Sequence, residues 1–283
     1  MSGRHRSRRV GRHRARLVGR YALLGVAALV VALPIYTAVV LATQPAERLF
    51  DFPGVLFPRS IHLDPFREAI EVGSLPRYML NSAVVASIIV LGQVVTSVLA
   101  GYAFACLHFP AKRLIFLVFL ATHMIPAEVT IVANYETMQR LGWIDTFPAL
   151  TAPFLAAAFG TFLLREVFLQ VPRELREAAS LDGYGHLGFL WNVAIPLARP
   201  AIAALALFSF LGAWNQYLWP LLVTNNDDHR TVQIGLKALA STNLDKINVT
   251  MAGTVVAALP IVLLLLIFQR QLIRGLTAGA VKG

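Results

Sequence analysis

Residues 82–107 read SAVVASIIVLGQVVTSVLAGYAFACL, a stretch of 26 residues without a charged side chain. A hydrocarbon core about 30 Å thick is crossed by roughly 20 apolar residues, because a helix rises 1.5 Å per residue. Lipid offers no partner for backbone N–H and C=O groups, so a single spanning segment satisfies them by forming a helix. The stretch therefore predicts a transmembrane helix that is long enough to tilt.

Five further apolar stretches extend this pattern along the chain and predict an all-α integral membrane protein with six transmembrane helices. The first stretch follows an arginine-rich start, as a signal peptide does. Its apolar core exceeds the usual 7–15 residues and no small-x-small cleavage site follows closely, which favours a span over a cleaved leader. The predicted domain covers 21–268, between tails at 1–20 and 269–283, and its other spans are 21–41, 114–132, 147–164, 201–223 and 251–268.

The composition supports a membrane protein and excludes several soluble classes. Hydrophobic residues make up 57% of the 283-residue chain and charged residues 14%, against about 45–50% and about 25% in soluble domains. The single cysteine excludes an internal disulfide framework and any zinc or iron–sulfur site with several cysteine ligands. The formal net charge is nevertheless +10, so the few charged residues are strongly biased.

The basic residues predict the orientation of the spans, since cytoplasmic loops carry the excess of Lys and Arg. Alternate loops hold 17 basic residues on one side and 8 on the other, with net charges of +13 and −2. Both termini are therefore expected in the cytoplasm, which agrees with an even number of spans. The arginine-rich tail 1–20 is interpreted as a topology signal that meets anionic lipid headgroups, the alternative being nucleic-acid binding.

The longest cytoplasmic loop, 165–200, is predicted to contain a short helix. Pro172 suits the first turn, where a missing N–H is tolerated, and Glu174 is well placed for the helix dipole. Gly183 suits the end, since glycine accepts positive φ. A second short element is expected over 185–193, ending before Pro196.

The same helix has an apolar face at i, i+3 and i+4, formed by Leu175, Ala178 and Ala179. A face of this kind packs either on the protein's own bundle or on a partner that approaches closely over small residues. The local pattern leaves these two alternatives open.

At this loop the chain resembles the membrane subunits of binding-protein-dependent ABC transporters. The residues EAA at 177–179, Gly183 four positions on, and VAIP at 193–196 are similar to the motif E-A-A-x3-G-x9-I-x-L-P of that family. The end of the chain, GLTAGAVKG at 275–283, resembles the tail of a maltose-transporter-type permease. The resemblance covers essentially the whole chain, including the six-span layout.

The resemblance implies that the loop is a coupling helix docked on a cytoplasmic ATPase. Glu177 would pair with a basic residue of the ATPase, while Ala178 and Ala179 would permit close approach. Gly183 would turn the chain, and the motif closes at Pro196. The tail would reach the ATPase dimer interface through Thr277, Gly279, Lys282 and Gly283.

By the same resemblance the partners are a homologous permease subunit, two ATPase subunits and an extracytoplasmic solute-binding protein, in the bacterial cytoplasmic (inner) membrane. Neither a G-x-x-x-x-G-K-[ST] phosphate loop nor another catalytic motif occurs in the sequence. The chain is therefore expected to be a non-catalytic subunit without a cofactor of its own, with ATP and Mg²⁺ bound by the partner ATPase. No nucleic-acid partner is expected.

Two stretches bear on the solute, MIPAEV at 124–129 and WNQYLWPLL at 214–222, and both resemble the glycerol-3-phosphate branch of the family. Glu128 is the one formal charge inside a predicted span, and such acids often serve transport, although snorkelling or capping also explains it. Aromatic rings and amides suit polyols, but an interfacial aromatic belt is the alternative. The candidate path-lining residues are Glu128, Trp214, Asn215, Gln216 and Tyr217.

The sequence thus predicts an importer subunit for a sugar or a polyol phosphate, with glycerol-3-phosphate or its diesters as the best single candidate. An oligosaccharide importer of the maltose type is the alternative within the family. An ion-coupled secondary transporter that uses Glu128 is the alternative from another class.

Overall fold

The computed structural model describes residues 3–46, 57–58, 60–72, 74–242 and 246–277. Within these ranges the regular structure is helical and contains no strand, which confirms the all-α prediction. The α-helices are α1 Gly3–Ala42, α2 Asp64–Val72, α3 Leu75–Cys106, α4 Lys112–His123, α5 Ala127–Arg140, α6 Phe147–Thr151, α7 Ala158–Leu169, α8 Arg173–Leu181, α9 His186–Phe189, α10 Ile195–Trp214, α11 Leu218–Val223, α12 Val232–Thr242 and α13 Ile247–Thr277.

Four helical segments are long and apolar enough to cross a membrane: Gly19–Ala42, Leu75–Cys106, His186–Trp214 and Ile247–Gln269. Two bent pairs qualify as well when each is counted as one span. In the first pair Lys112–His123 meets Glu128–Arg140 at 95°, and in the second Phe147–Phe154 meets Ala158–Leu169 at 45°. By length and composition, the described residues therefore provide up to six spans.

The predicted third span, 114–132, differs from a single helix because Pro126 interrupts it. Proline has no N–H to donate and disfavours the helical conformation of the residue before it. Pro126 adopts φ −58° and ψ 135°, and α5 begins directly after it. The predicted fourth span, 147–164, is likewise divided, by a 3₁₀ turn at Ala152–Phe154 followed by extended backbone at Ala157.

The fifth span, His186–Trp214, is shifted toward the N-terminus of the chain relative to the predicted range 201–223. The second loop element does not end before Pro196 as expected, because a π-helical turn at Leu190–Ala194 carries the helix through to α10. The N–H of Ile195 bonds to the carbonyl of Leu190, five residues back. This wider turn places Pro196 in the first turn of α10, where proline is tolerated. At the other end the helix stops at Trp214.

The larger of two compact units comprises 73–238 and 257–283, over the residues described. Its centre is α3, which packs on α7 and α10. Two glycines allow this close approach, as small residues do between membrane helices. A Cβ on Gly160 would lie 2.3 Å from Ser97 Oγ, and one on Gly101 would lie 3.0 Å from the backbone nitrogen of Arg165.

The smaller unit comprises 1–72 and 239–256, again over the described residues. Asn248 Nδ2 donates to the carbonyl of Gln44 at 3.0 Å, and Gln44 Nε2 donates to that of Ser60 at 3.1 Å. Lys246 Nζ lies 2.7 Å from Glu68 Oε1. These contacts fasten the start of α13 to the end of α1 and to α2, around a core of Ala42, Ala69, Leu239, Val249 and Ala252.

Asp145 joins two loops of the larger unit, which are predicted to be extracytoplasmic. Its carboxylate accepts hydrogen bonds from the backbone N–H groups of Asn225 (3.1 Å) and Asn226 (3.3 Å) and from the Asn226 side chain. Its own N–H donates to the carbonyl of Val223 at 2.7 Å. Burial raises the pKa of this carboxyl, but the hydrogen bonds from Asn226 and Asn225 outweigh that effect and hold the pKa below its ordinary value.

We predict that Asp145→Asn lowers the free energy of unfolding of the purified protein at neutral pH by about 1.5–3 kcal/mol, the range for hydrogen bonds to a charged group. Asparagine tolerates the φ of +64° at this position, so the variant tests the charge. Because the folded-state pKa is depressed, the stabilisation is complete above the unfolded-state pKa and is lost as pH falls through the folded-state pKa. The melting temperatures of the wild type and of Asp145→Asn should therefore converge as the pH falls. A difference in melting temperature that stays constant from neutral to acidic pH would contradict this prediction.

Candidate coupling surface and transmembrane cavity

The loop helix α8 begins and ends at the residues that the sequence singles out. Pro172 precedes it with φ −54° and ψ 141°, and Glu174 lies in its first turn. Gly183 follows with φ +82°, a conformation in which a side chain is strained. The N–H of Gly183 bonds to the carbonyl of Ser180 at 3.1 Å, so the carbonyls at the helix end are partly satisfied.

The predicted apolar face of α8 is not a single buried face. Ala179 is 6% exposed, whereas Leu175 is 41% exposed and Ala178 is also exposed. The inward side is shared by Ala179 and Arg176, whose Nη2 lies 3.2 Å from Cys106 Sγ at the end of α3. The long arginine stem covers apolar surface while its guanidinium finds a polar partner, and this turns Leu175 outward.

The opposite side of α8 is exposed although it carries apolar side chains. Leu181 is 91% exposed. At 100° per residue, five of the exposed positions cover an arc of about 160° on the side of the helix away from Arg176 and Ala179. We call this surface the α8 outer face, and it consists of Glu174, Leu175, Glu177, Ala178 and Leu181.

The base of α8 is connected to three helices of the bundle. The Arg176 guanidinium lies 5.9 Å from the ring centroid of Phe189 in α9. Tyr102 of α3 and His186 of α9 approach within 3.3 Å between the hydroxyl and Nδ1. Ala179 belongs to a core cluster that also contains Phe168 of α7. Arg176 and Ala179 thus connect α8 to α3, α7 and the helix that starts at His186.

Some of the remaining residues that the sequence predicts for coupling lie in the part of the chain that the structure describes, and others lie outside it. Pro196 is half-buried in the first turn of α10. Thr277 is the last residue of α13. Gly279, Lys282 and Gly283 lie outside the described residues.

A second feature of the larger unit is a cavity of 630 Å³, which we call the transmembrane cavity. It brings together three of the predicted path-lining residues, Glu128, Gln216 and Tyr217, although they come from distant parts of the sequence. The other lining residues include His123, Asn134 and Trp219.

Three helix interruptions meet at the transmembrane cavity: 124–126 between α4 and α5, 155–157 before α7, and 215–217 between α10 and α11. Irregular backbone at membrane depth is tolerated where it lines a cavity or is buried in protein. Interrupted helices of this kind form the solute sites of many transporters. The arrangement is therefore suited to a polar solute.

Trp214 and Asn215 do not line the transmembrane cavity, although the sequence grouped them with Gln216 and Tyr217. Trp214 is 2% exposed, and its Nε1 donates to the carbonyl of Ala257 in α13 at 3.2 Å. Asn215 Nδ2 donates to the carbonyl of Leu211 at 2.8 Å. Trp214 is the last residue of α10 and Asn215 follows it, and these hydrogen bonds hold both side chains away from the cavity.

Sequence reasoning missed the residues that stabilise the interruption before α7. Gln93 Nε2 donates to the carbonyl of Phe154 at 2.9 Å, and Thr96 Oγ1 lies 3.0 Å from that of Leu155. Ser209 of α10 donates to Gln93 Oε1. An amide in the middle of an otherwise apolar span was the available signal, since polar groups at that depth usually have a specific partner.

The family model described as "Binding-protein-dependent transport system inner membrane component" matches residues 82–278, which include the α8 loop and the transmembrane cavity. The chain belongs to this family. It is thus a multi-pass inner-membrane permease of an ABC importer and works with a solute-binding protein and ABC partners. This assignment replaces the alternative of an ion-coupled secondary transporter.

Curated relatives resemble the permease over nearly its whole length. The sn-glycerol-3-phosphate transport system permease protein UgpE of Brucella abortus (strain 2308) is 36% identical over 268 residues, covering 90% of this chain and 94% of the relative. The protein of the same name from Yersinia pestis bv. Antiqua (strain Antiqua) is 34% identical over 265 residues, with the same coverage.

Solved structures share the fold. A chain of a bacterial ABC transporter involved in the import of the acidic polysaccharide alginate superposes with a TM-score of 0.79 at 22% identity, covering 91% of the permease and 96% of that chain. A chain of the alginate transporter in complex with a pentasaccharide-bound periplasmic protein gives 0.66 at 12% identity, covering 90% and 93%. At these identities the likeness concerns the fold.

We predict that Gly183→Val loosens the end of α8, whereas Gly185→Val does not. A Cβ at either glycine meets nothing within 4 Å, so the two changes differ mainly in backbone conformation, with φ +82° at Gly183 and −74° at Gly185. Positive φ strains a β-branched residue by about 1–3 kcal/mol. Limited proteolysis of membrane vesicles should cleave the 165–200 loop of Gly183→Val faster, by about fivefold or more. Equal cleavage of the two variants would contradict the role of the positive φ.

Proposed function

We propose that the α8 outer face docks on a cytoplasmic ATPase and couples its closure to alternating access of the transmembrane path. Contiguous exposed apolar surface is typical of an interaction site, and the α8 outer face exposes Leu175, Ala178 and Leu181 on the same side of the helix as the carboxylate of Glu177. The carboxylate would select a basic residue of the partner, as complementary charges do at interfaces. The observation that carries the proposal is the exposure of this face on a helix whose base is fixed to the bundle.

The contacts of Arg176 and Ala179 supply a route for the motion. When the ATPase dimer closes around ATP, it would displace α8, and α8 would move α3, α7 and the helix that starts at His186. The path would then open outward to receive solute from the binding protein, and hydrolysis would reset it. In this cycle the permease holds no cofactor and performs no chemistry, while ATP and Mg²⁺ remain on the ATPase.

The proposed assembly contains a homologous permease subunit, two ATPase subunits and an extracytoplasmic solute-binding protein. The excess of basic residues on one set of loops supports cytoplasmic termini. Residues 277–283 would then reach the ATPase pair, as the family resemblance implies. The transmembrane cavity would form this permease's side of the solute path.

The proposed solute is glycerol-3-phosphate or one of its diesters. Relatives named for sn-glycerol-3-phosphate transport, at 34–36% identity over 90% of the chain, support this proposal. Amide, hydroxyl and carboxylate groups in the transmembrane cavity suit a small polyol.

Charge reversal at the α8 outer face tests the coupling proposal. Glu177→Lys should lower solute uptake by the assembled transporter at least about 100-fold, because like charges across an interface cost several kcal/mol. Uptake by cells that express all subunits is compared with the amount of permease in the membrane, which should not change. Glu136→Lys, the same reversal on exposed α5, should leave uptake normal. Normal uptake by Glu177→Lys would refute the coupling role.

The solute is tested on the cognate binding protein. Glycerol-3-phosphate or a glycerophosphodiester should raise its melting temperature, by an amount that corresponds to about 2.7 kcal/mol at a ligand concentration 100 times the Kd. Maltose serves as the comparison. A shift with maltose alone would contradict the polyol-phosphate proposal and would leave the coupling proposal intact.

A further inference from the structure

We propose that this permease's wall of the transmembrane cavity binds the hydroxyl groups of the solute and turns the anionic group away toward the facing side of the path. The inference rests on the proposed function, in which the transmembrane cavity belongs to the solute path. It goes beyond the identity of the solute and concerns the orientation of the solute in the path.

The charge of the cavity wall is the first observation. Glu128 is exposed into the transmembrane cavity, and among the described residues it forms no ion pair. The described lining contains neither lysine nor arginine. Solute phosphates in proteins are commonly held by Arg, Lys or a metal ion. A phosphate against this wall would instead meet a carboxylate, in a space with less water than bulk solvent to screen the repulsion.

Helix starts attract anions, because their first N–H groups lack intrahelical partners. The starts of α7 and α5 both reach the transmembrane cavity, and a carboxylate stands at that of α5. Glu128 lies in the first turn of this helix. The negative carboxylate of Glu128 therefore compensates the positive end of the α5 dipole. The start of α5 is consequently disfavoured as a phosphate site.

The same wall is well suited to hydroxyl groups. An ionised carboxylate accepts short, strong hydrogen bonds from hydroxyl donors. Asn134, Gln216 and Tyr217 add amide and phenol groups that donate as well as accept. Gln216 Oε1 is buried without a hydrogen-bond partner among the described residues, so it is not one of these acceptors. Glu128 is therefore assigned as a specificity-determining residue for the hydroxylated end of the solute.

The test removes the negative charge of the residue 128 side chain and keeps its size and shape. Glu128→Gln in the assembled transporter should lower the initial uptake of labelled glycerol-3-phosphate at limiting concentration by about tenfold, since a neutral acceptor binds hydroxyls less strongly than a charged one. Glu128→Asp keeps the carboxylate and should retain more uptake than Glu128→Gln. Glu136→Gln removes the same charge from the same helix, outside the transmembrane cavity, and should match the wild type.

The outcomes separate the orientation from the function. Increased uptake by Glu128→Gln would show that the anionic group lies near this wall, and unchanged uptake would show that Glu128 does not contact the solute; either result overturns the inference. Glu177→Lys is measured in parallel, so loss of uptake there alone leaves the proposed function standing. Failure of the wild type to import glycerol-3-phosphate would remove the solute proposal and the inference with it. Membrane content and melting temperature of each variant exclude misfolding as the cause.

Discussion

Backbone N–H and C=O groups inside a bilayer have no water to bond, and the larger unit of this permease is organised around that constraint. Continuous helices satisfy it by themselves, but the interrupted segments depend on neighbours. Gln93 and Thr96 of α3 meet the carbonyls of Phe154 and Leu155, while Trp219 Nε1 donates to the carbonyl of Ala149 at 3.0 Å. Polar groups placed at these depths make a cavity with irregular walls compatible with a membrane.

The sequence predicts the parts of the fold that depend on local hydrophobicity and on glycine or proline. Long uncharged stretches such as 82–107 become helices, and Gly183 adopts the positive φ that its place after α8 requires. The family motif at 177–196 leads to the permease class without any tertiary information. The sequence predicts these features because each depends on neighbouring residues within one continuous segment of the chain.

Other features depend on contacts between distant residues, which the periodicity of one segment does not contain. Leu175 was grouped with Ala179 on one apolar face, but Arg176 takes the inward position beside Ala179, because Cys106 lies nearby at the end of α3. Trp214 was grouped with its neighbours, but the carbonyl of Ala257 draws its indole into the bundle. The second loop element was expected to end before Pro196, but the π turn at Leu190–Ala194 lets the helix continue through the proline.

The uninterrupted segment His186–Trp214 has a consequence for communication across the membrane. At 1.5 Å per residue its 29 residues form a rod of about 43 Å, with Phe189 beside Arg176 at one end and Gln216 just beyond the other. If α8 docks on the ATPase as proposed, the ATPase side and the solute side lie at the two ends of this one helical segment. Binding free energies are reciprocal between linked sites, so whatever the ATPase does to solute affinity through this rod, solute does equally to the ATPase.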